Sequence, residues 1–216
     1  MSETAREAIL AALRARSAGD APEVERTGRT PGTPAGLDSP AARVARFRQR
    51  LEEVGGVVRE VPTREAALDA VREIVTQLGA RDVAASDGPL VAALRIQLGS
   101  EVAVFDGWRD RERLLACDLG ISGVQGAIAE TGTLVLDSAL ERNRLVSLVP
   151  PVHVALVERS QIVATLGDAL AACRRAGRTP AALTFITGPS RTADIELTLV
   201  VGVHGPKELY VLIVGD

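Results

Sequence analysis

The sequence predicts an α/β protein: a Rossmann-like parallel sheet flanked by helices, extended into a mixed sheet by antiparallel strands. Three observations carry this. From residue 40 to residue 117 the apolar pattern alternates between helical and strand periods, the signature of βαβ units. After Gly120 a series of short apolar runs reads as strands, with one long helix among them. The chain has 216 residues, 46% hydrophobic and only 2% aromatic, so it can bury one core made of Val, Leu, Ile and Ala.

The elements follow in order. Glu3 to Arg16 reads as a short amphipathic helix with Ile9, Ala12 and Leu13 on one face. Ser17 to Pro40 is rich in Pro and Gly and cannot bury enough apolar surface to offset its ordering entropy. Residues 1–38 are therefore expected to be an N-terminal helix and flexible linker, and residues 39–216 the folded domain. Ser39 is an N-cap and Pro40 suits the first helical position, where its missing N–H costs nothing. Val44, Phe47, Leu51 and Val54 share a face, and Gly55-Gly56 stops that helix. Val57 to Val61 is a strand. Thr63 caps a helix with an Ala67, Val71, Ile74, Val75, Leu78 stripe. Asp82 to Ala85 (strand), Pro89 to Leu98 (helix), Glu101 to Asp106 (strand) and Asp110 to Cys117 (helix) complete the alternation. Beyond it, Ala127 to Asp137, Pro151 to Glu158, Leu183 to Thr187, Leu197 to Val203 and Leu209 to Val214 read as strands. Gln161 to Ala176, capped by Ser160 and closed by Gly177, reads as the intervening helix.

Composition excludes several classes. A net charge of −3 gives no basic face for phosphates, and scarce aromatics give no stacking platform, so nucleic acid is not an expected partner. Cys117 and Cys173 are far apart, which supports neither a zinc nor an iron–sulfur site; no metal or cofactor is called for. No run of about 18 apolar residues suggests a membrane span. Charged residues interrupt the N-terminal apolar positions, unlike a signal peptide, so the cytoplasm is the expected compartment. Lys207 is the single lysine, so any lysine-nucleophile chemistry would run through it.

Three segments place polar residues and glycines at strand ends, where open α/β sheets bind ligands. In the first, Glu130, Thr131, Gly132 and Thr133 lead into Leu134-Val135-Leu136; the same residues also fit a β-turn held by its own hydroxyls. In the second, Gly188-Pro189 ends a strand before Ser190, Arg191, Thr192, Asp194 and Glu196. A helical turn starting at Ser190 would cradle an anion, with Arg191 clamping a carboxylate or phosphate. A capped turn with a surface ion pair is the plainer alternative. The third holds His204 between Gly202 and Gly205, suited to hydrogen bonding or proton transfer near neutral pH, or simply to bonding its own turn. His153, in mid-strand, reads as a satisfied, half-buried residue. Arg142 and Arg144 add positive charge nearby. Dinucleotide, P-loop, zinc-protease and nucleophile-elbow signatures are absent.

The strings GAIAETGTLVL (126–136), LVSLVPPVHVALV (145–157), GPSRTADIE (188–196) and GVHGP (202–206) resemble the LUD, or lactate-utilisation, domain family, particularly its small C-type members. The resemblance runs from about Ser39 to the C-terminus. It implies a fold like the sugar-phosphate isomerase and CoA-transferase superfamily (NagB/RpiA/CoA-transferase-like). It also implies a place in carbohydrate metabolism, in the oxidation of L-lactate to pyruvate beside iron–sulfur protein subunits. Where family members often carry an acidic residue before the ETGT-like segment, this chain has Val124 and Gln125. Three functions compete. The first is a non-redox component binding a small carboxylate, with Arg191 pairing to it and His204 taking a hydroxyl proton. The second is an acyl- or phosphoryl-transfer enzyme with Glu130 as nucleophile. The third is a scaffold that docks partners through its N-terminal helix. Assembly into a homo-oligomer is left open.

Overall fold

A computed structural model describes residues 3–17, 34–99, 102–106, 109–141, 143–175, 181–193, 199–201 and 204–215. The chain groups into two units, residues 1–30 and 31–216. The first contains helix α1 (Glu3–Ser17). The second opens with α2 (Pro40–Glu53), whose N-terminus is capped by Ser39 Oγ accepting from the Ala42 amide at 3.2 Å. There follow β1 (Val57–Val61), α3 (Arg64–Leu78), β2 (Asp82–Ala85), α4 (Pro89–Leu98), β3 (Ala103–Asp106), α5 (Arg111–Ala116) and β4 (Leu119–Gly123). After these come β5 (Gly126–Ile128), β6 (Thr133–Asp137), β7 (Val152–Glu158), β8 (Ile162–Val163), α6 (Leu166–Arg175), β9 (Leu183–Ile186), β10 (Arg191–Ala193), β11 (Leu199–Val201) and β12 (Glu208–Val214).

Six strands in the order β1-β12-β7-β4-β2-β3 form one sheet, and every pairing in it is parallel. One face packs on α3 and α4 through Val83, Ile121, Val154 and Leu156 against Val71, Ile74, Leu94 and Leu98. The other packs through Ala155, Val157, Val211 and Ile213 against Phe47 and Leu51 of α2, and against Ala127, Leu134 and Leu136. A sheet covered on both faces needs strands that are apolar on both sides; β7 is so apart from His153 and its terminal Glu158, and β12 is so after Glu208.

The expected antiparallel extension of the parallel sheet is corrected. The later strands form sheets of their own: β8-β5-β6-β9, in which only the β5–β8 pair is parallel, and the antiparallel pair β10-β11. The reason is occupancy of edges. Both sides of β4 already bond to β2 and β7, so the chain leaving Gly123 must turn out of the sheet. The helix expected from Gln161 is also corrected. Ile162 and Val163 pair with Ala127 and Ile128 as strand β8, and the helix begins at Leu166. Its cap is reciprocal: Thr165 Oγ1 accepts from the Asp168 amide, and Asp168 Oδ2 accepts from the Thr165 amide. Ser160 instead sits in a 3₁₀ turn.

Strand β4, LGISG, is not among the strands expected from the apolar pattern, since two of its five residues are glycine, which weakens strand preference. All five residues are buried. Gly120 is required there because the Val146 carbonyl occupies the space a Cβ would take. Cys117 is buried and Cys173 half-buried, and both are free thiols.

Candidate functional site

The nominated loops gather around the C-terminal end of α2. Gly132, at φ 67°, closes the turn between β5 and β6 and lets it rest on the helix; a Cβ there would lie 2.6 Å from the Leu51 amide nitrogen. Gly188, at φ 139°, rests on Val54 in the same way, and the Arg191 guanidinium lies over Gly55. Hydroxyls link the first segment to the second: Thr131 Oγ1 is 2.7 Å from Thr133 Oγ1, which is 2.9 Å from Thr187 Oγ1. A backbone bond links the second to the third, with the Ser190 amide donating to the Pro206 carbonyl at 2.8 Å. The Lys207 amide then donates to the Pro151 carbonyl at 2.7 Å, which fixes this junction at the amino edge of the parallel sheet, beside β7 and β12.

Not every nominated residue meets there. Glu130 Oε1 accepts from the Leu166 amide at 3.2 Å, so this side chain serves the first turn of α6. The helical turn expected at Ser190 is absent: β10 starts at Arg191, and the Ser190 amide is spent on Pro206, so the anion cradle expected of a helix start is corrected. Thr192 lies in β10 opposite Val200. Arg191 and His204 are exposed. Asp194, Glu196, Arg142 and Gly202 lie outside the described residues. Among the described residues, no group of three or more His, Cys, Asp or Glu side chains is placed to hold a metal.

His153 is corrected from half-buried to fully buried. Its Nε2 lies 2.8 Å from Ser122 Oγ, while Nδ1 has no partner among the described residues. Burial depresses its pKa to about 3, so the ring is neutral at physiological pH.

The opposite, carboxyl edge of the sheet holds a group that pattern reading passed over. Here β2, β4 and β7 end, and α3 and α4 begin, as parallel crossovers require. A cavity of about 310 Å³ is lined by Leu90, Gly123, Gln125, Leu140 and Glu141 among others. Glu141 is 1% exposed. The turn after β6 presents it: the Glu141 amide donates to the Asp137 carbonyl at 2.8 Å, and Asp137 Oδ1 accepts from the Ala139 amide at 2.7 Å. Its carboxylate lies against Gly88 and Gly123; a Cβ on Gly123 would sit 2.7 Å from Oε1. Ser86, Gln125 and the Gly123 amide lie near enough to favour the charged form, yet neither carboxylate oxygen is in hydrogen-bond geometry with a described residue. Burial, reinforced by the charge on Asp87, outweighs them and pushes the pKa up to about 7. Asn143, two residues on, is buried with both side-chain polar atoms unpartnered among the described residues. The sequence carries no signal for this group: Glu141 and Asn143 fall in the polar run Glu141-Arg142-Asn143-Arg144, which reads as a solvated turn.

A six-stranded parallel sheet with helices packed on it, and a smaller mixed sheet over one face, define an open-sheet α/β protein. The LUD domain family matches residues 44–214, and the chain belongs to that family. It is 37% identical over 164 residues to lactate utilization protein C of Shouchella clausii, covering 70% of this chain and 69% of that one. It is 33% identical over 171 residues to lactate utilization protein C of Deinococcus radiodurans, covering 78% of each. The match to the Anoxybacillus flavithermus protein of the same name is 38% identical and spans 54% of each. A crystal structure of a DUF162 family protein from Deinococcus radiodurans superposes with a TM-score of 0.63 at 27% identity, covering 82% of this chain and 99% of that one.

Proposed function

We propose that the chain is a non-redox component of an L-lactate utilisation system, binding a small carboxylate on the loops at the amino edge of the sheet. The names of its relatives support the system. The observation that carries the site is the Ser190–Pro206 backbone bond, which holds Arg191 and His204 on adjoining loops. Arg191 pairs with the carboxylate in this reading, and His204 bonds or deprotonates its hydroxyl. Thr131, Gly132, Thr133 and Ser190 shape the floor, Thr192 belongs to the outer strand pair, Glu130 holds the adjoining helix, and Asp194 and Glu196 are proposed as further ligand contacts. The alternative in which Glu130 is a covalent nucleophile requires it to leave the Leu166 amide. Iron–sulfur subunits are the proposed redox partners, and the fold is proposed to share the sugar-phosphate isomerase and CoA-transferase ancestry. Residues 1–38 are proposed as a segment separate from the 39–216 domain.

The test is lactate oxidation by reconstituted partner subunits. Omitting this chain should lower the rate, and R191A should lower it about tenfold or more with the fold intact. Equal rates with and without the chain would remove the function; a full rate with R191A would remove the site.

A further inference from the structure

We propose that residues 143–149, the turn that leads into β7, form a flap that lifts from the parallel sheet as a unit and uncovers the buried Ser122–His153 pair beneath it. The flap is separate from the amino-edge loops and does not depend on them.

The sheet register puts the pair under the flap. Gly120 of β4 stands opposite His153 of β7, and residues paired in this way project to the same face. On that face the Val146 carbonyl and the Pro150 ring occupy the space a Gly120 side chain would take. The 3₁₀ turn Arg144–Ser147 lies against both strands. Ser122, two residues along β4 from Gly120, shares the face, and its Oγ lies 2.8 Å from His153 Nε2. Both side chains are buried. The flap is fastened on either side. Before it, Glu141 is buried against Gly88 and Gly123, with its amide on the Asp137 carbonyl. After it, the Pro151 carbonyl accepts from the Lys207 amide at 2.7 Å.

The seam between flap and sheet is weakly held. The flap's hydrogen bonds are its own: the Val146 amide donates to the Asn143 carbonyl at 3.2 Å, the Val149 amide to the Leu145 carbonyl at 2.9 Å, and Ser147 Oγ to the Arg144 carbonyl at 2.9 Å. Among the described residues, none of these bonds reaches the sheet. Asn143 stands at the N-cap of the turn yet makes no cap bond. Its Oδ1 and Nδ2 are buried without a partner among the described residues, and so is Nδ1 of His153 on the sheet. Lifting returns these atoms to water, which offsets part of the apolar contact that is lost. That contact is small: Val146 is the fully buried apolar residue of the flap, and Leu145 and Val149 are partly buried beside it. The fastened ends and the self-contained bonding let the turn move without unravelling.

The test is native-state hydrogen exchange by NMR on the full-length chain at low denaturant, joined to diethyl pyrocarbonate labelling of its two histidines. The Val146 and Val149 amides should exchange together, about a hundredfold or more faster than the Val211 and Leu212 amides of β12, and with little dependence on denaturant. Exposed His204 should be labelled at once, and His153 at a slower rate that follows the Val146 amide. N143L replaces the unpartnered amide by an apolar group of similar size, and should slow both Val146 exchange and His153 labelling about fivefold or more. Three results would each overturn the proposal: flap amides that share the rate and denaturant dependence of β12, His153 labelled only where β12 unfolds, or both rates unchanged in N143L. Should N143L fail to fold, exchange and labelling of the unaltered chain still decide it.

Discussion

Gly132 shows how one residue joins local conformation to the site. Its φ of 67° suits a residue without a Cβ, and its closeness to the Leu51 amide leaves no room for one. G132A therefore meets both backbone strain and a collision with a helix backbone that cannot move aside. A loss of more than about 1 kcal/mol is expected, read as a lowered denaturation midpoint. Glu141 and His153 are opposite cases of burial: the carboxyl is pushed up to about 7 and the imidazole down to about 3. Desolvation disfavours the charged form in both. The motif reading reached Gly132 because a glycine between threonines is a local signal. It missed Glu141 because nothing in Ala139-Leu140-Glu141 states that the carboxylate will be covered.

At the scale of elements, β4 shows the limit of pattern reading. A strand of Leu119-Gly120-Ile121-Ser122-Gly123 has low intrinsic strand preference, yet it lies between β2 and β7 in the sheet. The Val146 carbonyl, from the 3₁₀ turn Arg144–Ser147, presses on the bare face of Gly120. G120A should cost about 1–3 kcal/mol in chemical denaturation, because the turn must lift from the sheet to admit a methyl group. Helix α6 departs from expectation for a related reason. Ile162 and Val163 match a helical stripe, but the edge of β5 offers them backbone partners, so pairing takes precedence over local preference. By contrast α2, α3 and α4 begin where their caps and prolines say, at Ser39, Thr63 and Gly88-Pro89, since capping is local chemistry.

For the whole molecule, the two buried titratable groups set opposite pH trends. The folded state holds the Glu141 proton up to about pH 7, whereas the unfolded chain releases it near its ordinary value of 4.5. Its contribution is therefore complete below 4.5 and is lost as pH rises to about 7. The unfolded chain protonates His153 below its ordinary 6.5, whereas the fold refuses the proton down to about 3, so that contribution is lost as pH falls across this range. Each slope is about 1.4 kcal/mol per pH unit, and the two oppose between 4.5 and 6.5. A thermal-denaturation series should show little change from these groups across that interval. E141Q should unmask a rise in stability from acid to pH 6.5; a flat profile in E141Q would contradict the burial of His153.

The sequence by itself determined the α/β class, the alternation through residue 117, most helix starts and the membership implied by four loop motifs, because caps, turns and apolar periods are written in near neighbours. Only the tertiary structure decided which strands share a sheet, that the nominated loops meet at the end of α2 while Glu130 turns to α6, and that a carboxyl lies covered beside Gly88 and Gly123. Those outcomes depend on which edges are already bonded and on what removes water from a side chain, and both are set by residues distant in the chain.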